Sequence, residues 1–345
     1  MTMHIERGYV MRFIGGKSLL LNNIIDVVNE NTIDVNKVGD LFTGSGVVAQ
    51  TFKQLGYETV TNDLMYMSYC LSRGMIELNT PPQFKGLNNI NVFDYLNNIP
   101  EPSDKSNCFI YNNYSPVGDC ERMYFQPDNA WKIDSIRQQI ETWFKSKVIT
   151  EAEYFYLLSS LLSAVPYIAN ITGVYAAYLK HWDKRTYNTL KIKPTEVIPS
   201  NKLCRAYNLN ADEVCKYESF DLVYIDTPYN SRQYTSNYHI LETIARYDYP
   251  EIHGKTGMRD YERSQFCQKG VVAEAFYNLF KSLKTRYVVT SYNNEGLLST
   301  DEMIDILGSF GQVKLYEYPY RRYKSKIPNN ESGLKEQIYF VEMNE

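Results

Sequence analysis

The chain has 345 residues, a formal net charge of −4, and a composition of 44% hydrophobic and 22% charged residues. This length accommodates one large domain with an insertion, or two domains. No apolar run approaches the roughly 18 residues of a membrane span, and the N-terminus lacks the apolar core of a signal peptide, so we expect a cytoplasmic protein. The net charge disfavours a uniformly basic nucleic-acid binder but is compatible with local basic patches.

The spacing of cysteine and histidine predicts reduced thiols and no metal site. The 6 Cys include no Cys-x-x-Cys pair, and the 4 His show no spacing typical of metal ligands. Cysteines of this kind stay reduced in a cytosol. We therefore expect no zinc site.

Two glycine-containing turns precede predicted helices near the start of the chain. The first is Phe13-Ile14-Gly15-Gly16-Lys17, before an amphipathic helix over 19–29. The second is Asp40-Leu41-Phe42-Thr43-Gly44-Ser45-Gly46, between a short strand and a helix over 47–55. Such glycines let the backbone approach an anion or a nucleotide closely, although an ordinary turn is an alternative for the first motif. The second turn departs from the dinucleotide fingerprint, because Ala49 and Gln50 stand where a third glycine is expected.

Acidic residues follow the next two predicted strands. Asp63 comes after a strand at 58–61, and Asp94 ends a strand predicted from Asn91-Val92-Phe93. Each acid alone is more typical of a helix cap or a solvated turn. Together with Asp40, they make three acids at successive strand ends around one glycine turn, which favours a nucleoside cofactor.

The tetrapeptide Asp226-Thr227-Pro228-Tyr229 follows an apolar run over 221–225 that predicts a buried strand. A carboxylate, a backbone carbonyl and an aromatic ring therefore arrive together at the carboxyl end of a strand. Ligands bind at that edge of open α/β sheets. The combination predicts a site for a flat ring that carries an amino group.

The segment from 105 to 216 has a different pattern, with helices predicted over 130–145 and 151–165. A local basic cluster with interleaved aromatic residues follows, and more basic residues lie in later loops and at a hairpin-like tip. A solvated surface is the alternative for each group. The candidate nucleic-acid contacts are Lys180, Lys184, Arg185, Arg232, Arg259, Arg321, Arg322 and Lys324.

This ordered set of motifs resembles the Dam-like (alpha) group of N6-adenine DNA methyltransferases, especially the modification methylases of type II and type IIS restriction systems. The resemblance covers nearly the whole chain. It implies an α/β fold, with a doubly wound, mostly parallel Rossmann-like sheet as catalytic domain (1–104 and 217–345). It also implies an inserted, mainly helical target-recognition domain at 105–216.

The resemblance further implies a site-specific enzyme that uses S-adenosyl-L-methionine without a metal and acts as a monomer on double-stranded DNA. A cognate restriction endonuclease would act independently. By resemblance, the catalytic motif is Asp226, Thr227, Pro228 and Tyr229, and the cofactor-binding residues are Phe13, Gly16, Lys17, Asp40, Phe42, Gly44, Ser45, Gly46, Asp63 and Asp94. Asp63 and Asp94 match acids that meet the ribose and the adenine of the cofactor.

The tetrapeptide also suits this chemistry on physical grounds. An exocyclic N6 amine is a poor nucleophile because its lone pair is delocalised into the ring. The Asp226 carboxylate and the Thr227 carbonyl would accept its two N–H groups, and would bind more strongly as methyl transfer places positive charge on nitrogen. Tyr229 would stack on the base, which must be flipped out of a duplex. Thr227 replaces the first Pro of the usual Asp-Pro-Pro-Tyr but keeps the carbonyl, and Pro228 still favours an extended residue before it.

Three alternatives stay open from the sequence. An RNA N6-adenine or an N4-cytosine methyltransferase could use the same two acceptors. A nucleotide-dependent oxidoreductase could use the second glycine turn, but the missing third glycine disfavours it and it gives the tetrapeptide no role. A non-catalytic DNA-binding module, with Thr227 as a sign of decay, is the third.

Overall fold

The computed structural model describes residues 16–88, 90–319 and 333–344. The strands in these ranges are β1 (Lys37–Asp40), β2 (Glu58–Asn62), β3 (Arg205–Tyr207), β4 (Phe220–Ile225), β5 (Ile252–His253), β6 (Met258–Arg259), β7 (Thr285–Asn293), β8 (Gly311–Pro319) and β9 (Lys335–Met343). The α-helices are α1 (Leu21–Asn31), α2 (Val47–Gln54), α3 (Tyr66–Met75), α4 (Val92–Asn97), α5 (Phe109–Tyr114), α6 (Pro127–Lys145), α7 (Glu151–Ala164), α8 (Ala211–Val214), α9 (Tyr234–Arg246), α10 (Val272–Ser282) and α11 (Thr300–Gly308). Among the described helices, none combines the length and hydropathy that crossing a lipid bilayer requires.

One mixed sheet contains β3, β2, β1, β4, β7, β9 and β8, in that spatial order. The first five strands run parallel to one another, whereas β9 is antiparallel to both β7 and β8. The strand order reverses beside β1, which lies between β2 and β4. Open α/β sheets bind ligands at such a switch point, beyond the carboxyl ends of the strands. The predicted α/β fold with a mostly parallel sheet is confirmed.

Strand β4 shows why the sheet is buried on both faces. Leu222 and Tyr224 pack into a core shared with α1 and α2, while Val223 and Ile225 pack into a core shared with α10 and α11. Alternate residues of a strand point to opposite faces, so a strand covered by helices on both sides is a continuous apolar run. The run ends at the carboxyl edge of the sheet, where Asp226 follows.

The helical segment packs on helices that belong to the sheet region. One continuous hydrophobic core contains residues of α3, α5, α6, α7 and α9. The buried Arg137 guanidinium on α6 donates to the carbonyls of Ile244 and Ala245 near the end of α9, at 3.0 and 3.2 Å. The predicted helices over 130–145 and 151–165 are confirmed as α6 and α7.

The predicted boundary of the insertion at residue 216 differs from the structure. Residues Arg205–Tyr207 lie inside the predicted insertion, yet they form β3 and pair with β2 through Thr61 and Ala206. This edge strand has only three half-buried residues, so no apolar run marks it in the sequence. The sheet therefore resumes at residue 205. That the helical segment recognises DNA stays a prediction.

The predicted strand at Asn91–Asp94 is wrong. Helix α4 begins at Val92, and the Asn91 side chain caps it by accepting a hydrogen bond from the Asp94 amide at 3.2 Å. Asn followed three residues later by an acid is a helix-start pattern. Asp94 is exposed on α4 and does not end a strand of the sheet.

Candidate active site

A cavity of about 440 Å³ lies at the carboxyl edge of the sheet. Ends of β1, β2 and β4, the start of α9, and the segments 209–212 and 262–266 all contribute to its wall. The residues predicted from sequence that line it are Gly16, Lys17, Asp40, Phe42, Gly44, Ser45, Asp63, Asp226 and Pro228. The structure thus brings the glycine turns and the tetrapeptide together around one space.

The loop between β1 and α2 is shaped by two glycines with positive φ. Gly44 has φ 53°, and Gly46, which precedes the first residue of α2, has φ 81°. Residues other than glycine seldom adopt this backbone conformation, so the loop sequence is suited to this turn. The Thr43 hydroxyl donates to the Asp40 carbonyl at 2.8 Å and closes the turn.

Asp63 ties this loop to the end of β2. Its carboxylate accepts hydrogen bonds from the Gly44 amide at 2.7 Å and from the Met65 amide at 2.8 Å. Burial raises the pKa of Asp63 to about 6, although these two amides oppose the rise. Each carboxylate oxygen has a second lone pair, so Asp63 can still accept a bond from a ligand hydroxyl.

Asp40 lies at the floor of the cavity and is 1% exposed. Burial, followed by the charges of Asp226 and Asp63, raises the pKa of Asp40 well above its ordinary value. Its Oδ1 atom is buried and has no hydrogen-bond partner among the described residues. A positively charged ligand group would satisfy this oxygen.

Asp63 after β2 and Asp226 after β4 lie on either side of β1, and we call these two sides the ends of the cavity. Asp226 faces a buried ammonium group. The Lys17 Nζ atom lies 3.1 Å from Asp226 Oδ1 and also pairs with Glu336 of β9. Burial raises the pKa of Asp226 to about 6; the Lys17 charge opposes this rise and the Glu336 charge adds to it. Burial disfavours the charged form of Lys17, but its two carboxylate partners outweigh burial and raise the pKa of Lys17.

The rest of the tetrapeptide is packed beside the cavity. Thr227 is 1% exposed, and its hydroxyl is buried without a partner among the described residues. The Tyr229 ring contacts Tyr292 edge to face at 6.3 Å, and its carbonyl accepts from the Leu297 amide at 2.9 Å. Residues 226–229 are therefore held in place from both sides.

The residues of the site that were not predicted from the sequence include Glu336, Tyr234 and Phe266. Glu336 reaches Lys17 from the antiparallel strand β9, Tyr234 lines the cavity from the start of α9, and Phe266 meets Phe42 edge to face at 5.1 Å. Tyr234 and Phe266 lie in or beside irregular segments, where no periodicity marks a buried position. An acid flanking a predicted strand is the only signal that Glu336 offered.

Several predicted residues lie elsewhere. Asp94 is exposed and does not line the cavity.

The predicted DNA contacts differ in their availability. Arg259 is 9% exposed and donates to both carboxylate oxygens of Asp248, at 2.9 and 2.7 Å, so its guanidinium is occupied. Lys180, Lys184 and Arg232 are exposed, whereas Arg185 donates to the Ile171 carbonyl. Phe13, Arg321, Arg322 and Lys324 lie outside the described residues.

Comparison with known proteins assigns the class. Residues 13–306 match the model of the D12 class of N6 adenine-specific DNA methyltransferases, MethyltransfD12. The chain belongs to this family, so the predicted resemblance is confirmed. Methyltransferases of this kind use S-adenosyl-L-methionine in general.

The curated relatives are restriction-system methylases. The chain is 44% identical to type II methyltransferase M.FokI of Planomicrobium okeanokoites over 341 residues, which is 96% of this chain and 52% of the relative. It is 40% identical to modification methylase StsI of Streptococcus sanguinis, again over 96% of this chain and 52% of the relative. Type II methyltransferase M.NlaIII of Neisseria lactamica is 35% identical, with 93% of this chain and 94% of the relative covered. The chain thus spans about half the length of the first two and nearly all of the third.

Proposed function

We propose that this chain transfers the methyl group of S-adenosyl-L-methionine to N6 of a flipped-out adenine in double-stranded DNA. One observation carries the proposal. A single cavity joins the glycine loop and Asp63 to Asp226, so a cofactor held by the first would meet a base held by the second. The oxidoreductase alternative explains neither the tetrapeptide nor the family match.

The residues present fit this cofactor. The cavity volume of about 440 Å³ lies within the range of roughly 300–1,000 Å³ that is typical of small-molecule sites. Asp40 has a buried oxygen without a described partner, which suits a cationic amino group, and Asp63 suits a ribose hydroxyl. When bound, the cofactor supplies an activated methyl group on a sulfonium centre. The loop at Gly44 and Gly46 would hold it close to the sheet edge.

The tetrapeptide would prepare the target amine. Lys17 favours the ionised form of Asp226, and an ionised carboxylate accepts hydrogen bonds without competing protons. Asp226 would take one N–H of the amine and the Thr227 carbonyl the other, which favours a more pyramidal nitrogen. Both acceptors bind that nitrogen more tightly as it gains positive charge, which lowers the barrier to transfer.

The names of the relatives are the basis for the biological role that we propose. Relatives at 40% and 44% identity carry the names modification methylase and type II methyltransferase. We propose that this chain likewise modifies DNA in the cytoplasm, as a monomer, independently of a restriction endonuclease. The segment from about 105 to 204 would recognise the target sequence, with Lys180, Lys184 and Arg232 near the phosphates.

A labelled-methyl assay tests this function. The purified chain is incubated with methyl-labelled cofactor and, separately, duplex DNA, single-stranded DNA or RNA, and the product nucleosides are then separated. We expect N6-methyladenine from duplex DNA at one sequence, which sequencing of the product would identify. Label found in N4-methylcytosine, or only in RNA, would overturn the proposal.

A further inference from the structure

A second cavity, of about 550 Å³, adjoins the catalytic one. We call it the arginine cleft; its wall comes from residues 174–176, 231–237 and 261–268. The middle segment begins two residues after the tetrapeptide. Gln233 and Arg263 line both this cleft and the catalytic cavity. These two side chains therefore form the boundary between the cleft and the space that contains Asp226.

Two hydrogen bonds between Gln233 and Ser264 fix this boundary. The Gln233 side chain accepts from the Ser264 amide at 2.8 Å and donates to the Ser264 carbonyl at 3.3 Å. The Cys267 thiol donates to the Arg232 carbonyl at 3.4 Å. These contacts join the segment after the tetrapeptide to the segment that carries Arg263, so the backbone positions of the two arginines are fixed relative to each other.

The third wall is also fixed. The Tyr175 amide donates to the Asn237 carbonyl at 2.7 Å, and the Tyr175 carbonyl accepts from the Tyr124 hydroxyl at 2.7 Å and from the His239 ring at 2.9 Å. The helical segment therefore contributes a rigid wall that is fastened to the start of α9. A ligand in the cleft would touch the helical segment and the catalytic segment at once.

The charge of the cleft is opposite to that of the catalytic cavity. Arg232 and Arg263 are exposed, and neither guanidinium forms an ion pair with a described residue, in contrast to Arg259. The described lining of the cleft includes no Asp or Glu, whereas Asp40, Asp63 and Asp226 line the neighbouring cavity. A polyanion would therefore be attracted to the cleft and repelled from the catalytic floor.

We propose that the arginine cleft binds the phosphodiesters that flank the target nucleotide. In this arrangement Arg232 and Arg263 hold the backbone while the base crosses the boundary at Gln233 to reach Asp226. Guanidinium groups suit phosphate because their paired donors match its oxygens. Gln233 is a positioning residue, since it acts through the segment that carries Arg263. The proposal rests on the proposed function and adds the route of the extruded strand.

Salt-dependent DNA binding tests the proposal. We would measure the affinity of the wild-type chain, Arg232→Ala, Arg263→Ala and the double variant for a duplex that contains the methylated sequence, across a range of salt concentrations. Each lost phosphate contact reduces the slope of log K against log salt by about 1, so the double variant should lose about 2. We also expect the KM for DNA to rise in each variant. For Arg232→Ala, whose side chain lines the cleft and not the catalytic cavity, the Kd for the cofactor should stay within about twofold.

Arg286→Ala is the control for the loss of one arginine. Its side chain is 53% exposed near the start of β7, at the opposite edge of the sheet, where it pairs with the exposed Glu342 at 3.8 Å. Its slope should equal that of the wild type. Gln233→Ala keeps the cleft charge but frees Arg263, so we expect a raised KM for DNA with a nearly unchanged slope. Equal slopes for the wild type and the double variant, with wild-type methylation intact, would overturn this proposal alone. A wild-type chain that transfers no methyl group to DNA would overturn the proposed function with it.

Discussion

The two ends of the catalytic cavity hold their carboxylates by different means. Asp63 accepts two backbone amides, which are fixed by the fold of the glycine loop. Asp226 faces a side-chain ammonium, that of Lys17, at 3.1 Å. Burial raises the pKa of both acids to about 6. The two backbone amides bind the Asp63 carboxylate to the glycine loop, which suits an acid that shapes a binding site. Asp226 is paired with a single side chain, which leaves its carboxylate able to accept a substrate N–H.

The largest effect is expected from Asp226→Asn. The amide keeps the size of the side chain but loses the charge that stabilises a developing cation. We expect kcat to fall by about 10²–10³ or more, which is the usual result of removing one preorganised electrostatic contact. Cofactor affinity, measured by calorimetry, should stay within a few-fold. Asp305→Asn on the exposed face of α11 is the control, and turnover of Asp226→Asn within tenfold of wild type would contradict the assigned role.

Asp63→Ala should break the other end of the cavity. This variant loses the two hydrogen bonds to Gly44 and Met65, and bonds to a charged group are each worth roughly 1.5–3 kcal/mol. We expect the Kd for the cofactor to rise by about 10–100-fold, while kcat at saturating cofactor falls much less. An unchanged cofactor Kd would show that cofactor binding depends neither on the Asp63 carboxylate nor on its bonds to the glycine loop, and the contrast between the two ends would then be wrong.

The same contrast explains which parts of the site could be predicted from sequence. Asp226 follows the apolar run of β4, and Asp63 follows β2, whose residues Thr59-Val60-Thr61 are β-branched. Both patterns predict strands, and the carboxyl ends of parallel strands lie at one edge of the sheet, so the sequence predicts that the two acids lie near each other. Asp94 was misassigned because four residues, Asn91 to Asp94, fit both a short strand and a capped helix start.

Glu336 could not be placed in this way. Its position beside Lys17 depends on the register of β9 against β7, where it pairs with Asn293. That register is set by a hydrogen-bond ladder between strands far apart in the chain, and a one-residue slip would turn the side chain to the other face. The positions of Tyr234 and Arg263 in the site depend on the paths of the irregular segments beside them. Those paths are set by single contacts, such as the hydrogen bond between Gln233 and Ser264. Local patterns contain no information on such contacts.

A moderate effect is expected from changing the charges around Asp226. The ionised carboxylate is the acceptor, so kcat/KM for DNA, measured at saturating cofactor so that the cofactor end does not set the profile, should rise with pH through the pKa of about 6 and then level off. Glu336→Gln removes a charge that raises this pKa, so the inflection should move to lower pH. Lys17→Met removes a charge that lowers it, so the inflection should move to higher pH.

The control for these two variants is Glu317→Gln, which breaks an exposed pair with Lys335 at 2.7 Å. Its pH profile should match that of the wild type. Because Lys17→Met leaves Glu336 buried without its partner, its melting temperature is measured as well. Opposite shifts in the two variants cannot come from loss of stability, which would lower the rate at every pH. Shifts in the same direction would contradict the arrangement.

The smallest effect is expected from Thr227→Val. Thr227 is 1% exposed and its hydroxyl has no described partner, and an unsatisfied buried polar group costs about 1–3 kcal/mol. Valine keeps the β-branched shape, so the free energy of unfolding, measured with denaturant, should stay equal or rise by up to that amount. Methyl transfer should keep its wild-type kcat, because residue 227 is assigned a role through its backbone carbonyl alone. Thr227→Ser, which retains the hydroxyl, is the control. A tenfold lower kcat for Thr227→Val than for Thr227→Ser would show that the hydroxyl takes part, and the Asp226 end would then rely on two side chains.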